Sequence, residues 1–202
     1  MNISILSSQH FSSTQWSGGT TTQLYISPPN ASYSDRNFEL RISTAKVEVD
    51  QATFTALPGF QRKLMILKGE ISIIHQGQYS KRLKAFEVDS FSGDWKTTSI
   101  GTCTDFNVMT QGLLHSDLYY LTQELASSHE LIPQTKCNSL FLYATSGTIY
   151  LKLMNENYTL ESGNLMVVEN LCVSSIFIES AEGFGLVVLE IASCPIINSE
   201  RI

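Results

Sequence analysis

The sequence predicts an all-β protein in which two antiparallel β-barrel or jelly-roll halves pack into one body. Short runs that alternate between apolar and polar residues dominate the chain, and Gly, Asn, Ser or Pro separates them. Long helical patterns do not intervene, and a weak internal repeat indicates two similar halves. With 202 residues, 43% of them hydrophobic, the chain can bury a core in each half.

The strand candidates follow one another along the chain. In order they are "FELRISTAKVEV", "KLMILKGEISII", "DFNVMT", "SLFLYATSGTIYLKL", "NLMVVE", "SSIFIES" and "GLVVLEI". Residues 115–131, "HSDLYYLTQELASSHEL", allow two interpretations. Ser116 could cap a helix that carries Leu118, Leu121 and Leu125 on one face, whereas the adjacent tyrosines suit a strand equally well.

The repeat aligns "LMILKGEISI" with "LYATSGTIYL" at an offset of about 78 residues. The matched pairs are Leu64/Leu142, Gly69/Gly147, Ile71/Ile149 and the conservative Ile73/Leu151. A chance match between two hairpins is the alternative. If the repeat is real, we predict an N-terminal half over residues 1–115 and a C-terminal half over residues 116–202, with their sheets joined so that edge strands are covered.

Charge and segment composition exclude several classes of partner. The net charge of −6 would repel a phosphate backbone, so we predict no nucleic-acid partner. The N-terminus has no basic and apolar leader pattern, and no run approaches the length of a membrane span, so we predict no membrane partner and expect a soluble cytoplasmic protein. A homodimer stays open.

No metal, cofactor or catalytic residue is predicted. The histidines lack a His-x-His spacing, and the four cysteines lack a C-x-x-C pair and read as reduced apolar fillers. No G-x-S-x-G elbow marks a serine nucleophile. Glu87, Asp89 and Asp94 surround a Ser-Gly turn, which predicts a solvated hairpin tip.

The stretch "QWSGGTTTQL" combines an aromatic residue with a flexible backbone. Gly18 and Gly19 allow a close approach to a ligand, beside Trp16 and a run of threonines that includes Thr21. A bulged turn that leads into an edge strand is the alternative. A P-loop is excluded, because no lysine follows the glycines and a strand pattern comes next.

Two arginines share the parity of apolar residues. In an unbroken strand, Arg41 and Ser43 lie on the face that later becomes apolar, unless a β-bulge between Ser43 and Ala45 reverses the phase. Arg62 has the parity of Leu64, and its planar fork makes it a better inward candidate than the adjacent lysine.

A third segment supplies possible partners for these arginines. In "TDFNVMT", Asp105 and Asn107 alternate with Phe106 and Val108, so one face of the strand is polar. If that face points inward, Asp105 is the natural partner of Arg41 or Arg62. The set could form a ligand site, or an internal Arg–Asp pair that only fixes the barrel.

The order of these motifs resembles the HutD/Ves family of cupin-like proteins, which have a bicupin architecture. "WSGGTTTQL", "FELRIS", "ALPGFQRKLMILKGEI", "GD" and "TDFNVM" carry the resemblance, which is strongest over residues 10–110. Gln23 stands where the family pattern has an acid. The resemblance implies an inward direction for Arg41 and Arg62, and proximity to histidine catabolism or stress responses. The His-x-His and glutamate set of metal-dependent cupins is missing from this chain.

Three functions follow as hypotheses. The leading one is a non-catalytic protein that binds a small carboxylate, such as a formylglutamate-like intermediate, in a regulatory or sensing role. The alternatives are a metal-independent isomerase or lyase with Asp105 as base, and a structural or partner-binding bicupin. The predicted ligand-binding residues are Trp16, Gly18, Gly19, Thr21, Arg41, Ser43, Arg62, Asp105 and Asn107.

Overall fold

Antiparallel strands make up nearly all the regular structure in the computed structural model, which describes residues 1–134 and 136–193. The one other element in the described residues is a single turn of 3-10 helix, Ser8–His10. The described residues contain no α-helix. The part of the chain that the structure describes has no helix long and apolar enough to cross a membrane. The strands are β1 (Asn2–Leu6), β2 (Ser12–Trp16), β3 (Gly19–Ser27), β4 (Leu40–Val47), β5 (Gln51–Thr53), β6 (Phe60–His75), β7 (Tyr79–Lys84), β8 (Val88–Ser92), β9 (Thr97–Ile100), β10 (Cys103–Gln111), β11 (Leu114–Gln123), β12 (Ser127–Leu131), β13 (Ser139–Ser146), β14 (Thr148–Leu153), β15 (Glu156–Glu161), β16 (Leu165–Glu169), β17 (Ile176–Ser180) and β18 (Phe184–Ser193).

The N-terminal half is one sheet that curls around its longest strand. The strand order is β2-β3-β4-β10-β6-β9-β5, with β7 and β8 also paired to β6. The first part of β6 pairs with β10 and β8, and its second part pairs with β7 and β9. Because β6 takes part in both walls, the sheet closes around an interior that contains Leu64, Ile66, Ile71 and Ile73.

The C-terminal half consists of two facing sheets. Strands β1-β16-β13-β18-β11 form one sheet, and β12-β17-β14-β15 form the other. Inward side chains of both sheets, among them Leu140, Leu142, Ile149 and Leu186, form its apolar core.

A second layer of apolar side chains joins the halves. Met65, Phe106 and Val108 of the first half pack with Phe141 and Val187 of the second in one cluster. The chain is therefore one integrated body, as the sequence predicts. The first strand, β1, pairs with β16 and completes the sheet of the second half. The predicted division near residue 115 stays a prediction.

The glycines matched by the repeat occupy equivalent backbone positions. Gly69, within β6, has φ of 86°, and Gly147, between β13 and β14, has φ of 76°. A β-carbon would lie 2.5 Å from the carbonyl oxygen of Thr102 at the first site and 2.4 Å from that of Gly183 at the second. The shared geometry supports a structural repeat.

The ambiguous segment 115–131 forms strands. All ten residues of β11 pair with β18, and β12 pairs with β17. A helix would have placed Leu118 and Leu125 on one face, but Leu118 is buried whereas Leu125 is 79% exposed. Long-range backbone pairing therefore outweighs the local helical pattern.

The cysteines within the described residues are unpaired. Cys103 is buried, as expected of an apolar filler, whereas Cys172 is exposed, so the filler interpretation is wrong there. Cys194 lies outside the described residues.

Candidate functional site

The curled sheet of the N-terminal half, here called the first barrel, contains an open cavity of about 360 Å³. Strands β2, β3, β4, β6 and β10 line it, together with residues 52–55 and the loop before β4. Trp16, Thr21, Arg41, Ser43, Arg62, Asp105 and Asn107 are the predicted site residues that line it. Gly18 and Gly19 do not.

The polar lining follows directly from strand register. Arg41 of β4 and Arg62 of β6 both lie opposite Met109 of β10, and in the next row Ser43 lies opposite Asn107. Strands with one strand between them are about 10 Å apart, so the two arginines can approach one small molecule from both sides.

The strand that carries Arg41 is unbroken. The residues Arg41, Ser43, Ala45 and Val47 all line the cavity, so the alternative of a bulge between Ser43 and Ala45 is wrong. The pairing of β3 with β4 is irregular instead, and its register shifts between Gln23 and Tyr25 of β3.

A bulge in β6 explains why residues of both parities, among them Arg62 and Ile71, face the interior of the first barrel. The register with β10 shifts beside Asp105, which leaves Leu67 unpaired. Leu64 and Ile66 before the bulge and Ile71 after it therefore contact the same core, although their parities differ. A simple period-two count across β6 cannot show this.

Arg41 is held by neutral partners. Its Nε donates a hydrogen bond to Gln23 Oε1 at 2.9 Å, and its Nη1 donates to Ser43 Oγ at 3.2 Å. The guanidinium lies 4.5 Å from the centre of the Tyr33 ring. Gln23 therefore orients Arg41 without neutralising its charge.

Arg62 is also held by neutral groups. Its Nη2 donates to Asn107 Oδ1 at 3.2 Å and its Nη1 to the Thr55 carbonyl at 3.3 Å. The rings of Phe54 and Phe91 lie 5.1 and 5.2 Å from the guanidinium. Its Nε is buried and has no hydrogen-bond partner among the described residues.

The expected Arg–Asp ion pair does not form. Within the described residues neither Arg41 nor Arg62 has a carboxylate oxygen within 4.0 Å. Asp105 lines the same cavity, but its Oδ1 has no hydrogen-bond partner there. An internal salt bridge that only fixes the barrel is therefore not what the geometry shows.

Burial changes the acidity of these groups. It raises the pKa of Asp105 to about 7, against the opposing effects of the Arg62 charge and of hydrogen bonds with Asn107 and Ala45. Burial also lowers the pKa of Arg62 to about 10 and lowers that of Arg41. Both arginines remain charged at neutral pH, whereas Asp105 is close to half protonated.

The Trp16 ring lies beside Gly18, which is two residues later in the chain. A β-carbon on Gly18 would lie 2.0 Å from the Trp16 ring, so the indole packs against bare backbone. Gly19 approaches the Lys46 carbonyl, where a β-carbon would lie only 1.9 Å from the oxygen. The two glycines therefore place Trp16 and the β2–β3 hairpin, and do not line the cavity themselves.

The sequence interpretation missed the aromatic residues around the arginines. Tyr33 lies in an irregular loop that has no periodic pattern, and Phe54 is the first residue after β5. Phe91 follows the inward parity of β8, and it is the cross-strand neighbour of Arg62. Only Phe91 carried a signal that period-two analysis could have used.

A buried histidine–carboxylate pair lies behind Phe91. His75 Nε2 is 2.8 Å from Asp89 Oδ2, and His75 Nδ1 is 2.8 Å from Thr97 Oγ1. The hydroxyl of Tyr79 donates to the other oxygen of Asp89 at 3.0 Å. The prediction that Asp89 belongs to a solvated hairpin tip is wrong, because its side chain pairs with His75 inside the barrel.

The two facing sheets of the C-terminal half, here called the second barrel, enclose an apolar core. At the repeat offset, Arg62 corresponds to Leu140, which is fully buried in an apolar core. The cross-strand neighbours change in the same way, since Asn107 faces Leu64 whereas Val188 faces Leu142. The buried pair of arginines therefore has no counterpart at these positions in the interior of the second half.

No group of three or more His, Cys, Asp or Glu side chains that could hold a metal ion occurs in the part of the chain that the structure describes. The buried pair of His75 and Asp89 has Thr97 and Tyr79 as further neighbours, which are poor ligands for a cupin-type metal.

Comparison with solved structures identifies the fold. The conserved protein PA5104 from Pseudomonas aeruginosa PAO1 is similar, with a TM-score of 0.81, 20% identity and coverage of 96% of this chain and 100% of that one. HutD from Pseudomonas fluorescens SBW25 matches with a TM-score of 0.73, 16% identity and the same coverages. The bacterial pirin YhhW from Escherichia coli, solved in complex with nickel(II), matches with a TM-score of 0.70, 9% identity and again 96% and 100% coverage. The neighbours include cupin-fold proteins, so the fold is that of a bicupin.

Comparison with sequences identifies the family. No curated protein matches the chain. The family model described as HutD matches residues 8–181, which is most of the chain. The protein therefore belongs to the HutD family.

Proposed function

We propose that the protein binds a small carboxylate in the cavity of its first barrel, without catalysing a reaction. One observation carries the proposal: two buried arginines face one cavity, and neither has a carboxylate within ion-pair distance among the described residues. A buried charge without a counterion costs several kcal/mol, so a ligand that supplies the missing negative charge would be strongly favoured.

The shape of the lining supports a small organic acid. Arg41 and Arg62 present planar donor groups, which suit a carboxylate, while Tyr33, Phe54 and Trp16 supply apolar surface for a carbon skeleton. We further propose a regulatory or sensing role in histidine or amino-acid catabolism or in a stress response, which family membership supports. Such a role would place the protein in the cytoplasm.

The proposal predicts that Arg41→Ala loses carboxylate binding. A ligand at about 100 times its dissociation constant stabilises the folded state by about 2.7 kcal/mol, which raises the melting temperature by roughly 5 °C or more. We expect at least one of glutarate, glutamate, formylglutamate and urocanate to shift the wild type but not Arg41→Ala. Differential scanning fluorimetry measures the shift, and calorimetry checks the affinity.

Arg82→Ala is the matched control. Arg82 is an exposed arginine that pairs with Glu70 on the outside of the barrel, so its removal should leave the ligand shift unchanged. If no acid shifts the wild type more than Arg41→Ala, the carboxylate site is wrong and a structural or partner-binding role becomes the better explanation.

A metal-independent isomerase or lyase is the second candidate. The observation that favours it is the unpartnered, buried carboxyl oxygen of Asp105 in the cavity, on a group whose pKa of about 7 suits proton transfer. This candidate predicts turnover of an acid that binds, and loss of that turnover in Asp105→Asn while binding persists. Binding without turnover would support the non-catalytic function.

A further inference from the structure

Asp105 occupies an unusual position for a carboxyl group. It is only 2% exposed and lines the cavity beside two arginines, yet it forms no ion pair with either of them. Its Oδ1 and the Nε of Arg62 are both buried without a hydrogen-bond partner among the described residues. A buried polar atom without a partner is rare in a native protein, and here two of them belong to one cavity.

We propose that the cavity takes up its anionic ligand together with one proton, and that Asp105 carries that proton. The proposal rests on the proposed function, because it concerns the same cavity and assumes an anionic ligand. It adds the protonation state in which the site binds that ligand, and hence a pH dependence.

The charged and titratable neighbours of Asp105 come from three strands and one loop. Arg62 reaches it from β6, Arg41 lines the same cavity from β4, and Cys103 lies two residues away on β10 itself. Tyr33 comes from the loop before β4 and interacts with both arginines. Strand β3 contributes only uncharged polar groups to this part of the cavity.

An ionised Asp105 would compete with an anionic ligand for the positive charge of Arg62. Once an anion lies between Arg41 and Arg62, the two negative charges repel each other inside a poorly solvated cavity. Protonation of Asp105 removes this repulsion. It also turns the unpartnered oxygen into a hydroxyl, which can donate a hydrogen bond where the ionised carboxylate could only accept one.

The sign of the pH dependence follows from burial. Burial raises the pKa of Asp105 to about 7 in the free protein, and a bound anion would raise it further. Below about pH 7 the group is protonated with or without ligand, so affinity is highest there. Between the free and bound pKa values, binding takes up one proton and the affinity falls about tenfold per pH unit. Above the bound value the affinity is low and constant.

Isothermal titration calorimetry with glutarate tests the proposal. The titrations run from about pH 6 to about pH 9, where both carboxyl groups of the probe stay ionised. Each pH is measured in two buffers that differ in ionisation enthalpy, so that their difference gives the number of protons taken up. For the wild type we expect uptake of about half a proton near pH 7, which rises toward one proton at higher pH, between the free and bound pKa values of Asp105. Asp105→Asn should take up none and bind with a nearly constant affinity.

Asp94→Asn serves as the control, because Asp94 is an exposed acid near the Ser-Gly turn and not part of the lining. It should keep the proton uptake of the wild type. Glutarate binding that is independent of pH, without proton uptake, would overturn the inference and leave the proposed function standing. Absence of binding of glutarate, glutamate, formylglutamate and urocanate to the wild type at every pH would instead count against both.

The free protein offers a test that needs no ligand. Infrared spectroscopy should show the C=O stretch of a protonated carboxyl group at about pH 6, which fades as the pH rises through about 7 and is missing in Asp105→Asn. A band that persists unchanged to about pH 9 would overturn the inference, because Asp105 would then already be protonated before the ligand binds.

Discussion

Replacing Asp89 with alanine is expected to destabilise the protein by about 3–5 kcal/mol, the cost of removing one partner of a buried pair. Asp89 is 4% exposed and accepts hydrogen bonds from His75 and Tyr79. Its removal leaves the buried Nε2 of His75 without a partner at a position that water cannot easily reach. The unfolding free energy from urea denaturation, monitored by the fluorescence of Trp95 beside His75, measures the effect.

Glu48→Ala is the control for this change. Glu48 pairs with Lys46 on the surface, where both side chains are largely exposed. Loss of an exposed pair costs less than about 1 kcal/mol. Equal destabilisation by Asp89→Ala and Glu48→Ala would show that the buried pair does not stabilise the first barrel.

The repeated glycines should be equally intolerant of a side chain. Gly69→Ala and Gly147→Ala would each place a β-carbon against a backbone carbonyl oxygen, at 2.5 and 2.4 Å, on a residue with positive φ. Neighbouring strands fix that backbone, so it cannot easily move away. The left-handed conformation and the overlap together should cost about 3 kcal/mol or more, again measured as the unfolding free energy.

Two other glycines separate the overlap from the backbone conformation. Gly77 and Gly163 have similar positive φ values, 77° and 84°, but nothing lies within 4 Å of the added β-carbon. Gly77→Ala and Gly163→Ala should therefore cost only about 1 kcal/mol. If all four variants lose the same stability, the close approach at the repeated positions is not what requires glycine.

Much of the architecture could be predicted because it follows from local alternation. The runs around Arg41, Leu64 and Leu142 have the period of strands, and the structure forms strands there. Inward placement of Arg41 and Arg62 also follows from parity, because the nearby residues of that parity are apolar or small. The same reasoning brought Asp105 and Asn107 to the same cavity.

The remaining features depend on contacts between distant residues. A bulge at Leu67 changes the phase of β6, and no local pattern marks it. His75 is the last residue of β6, whereas Asp89 lies on β8, which pairs with the first part of β6, so no fixed spacing in the sequence indicates their contact. The missing ion pair of Asp105 has the same origin, since parity gives direction but not distance.

The first strand has a consequence for the order of folding on the ribosome. Strand β1 precedes every other described strand, but Ile3 pairs with Val168 in the sheet of the second half. A nascent chain must therefore expose this segment until most of the protein has been synthesised, because its partner strand does not exist before then. The five-stranded sheet can therefore be completed only late in synthesis, and β1 stays unpaired until β16 has been made.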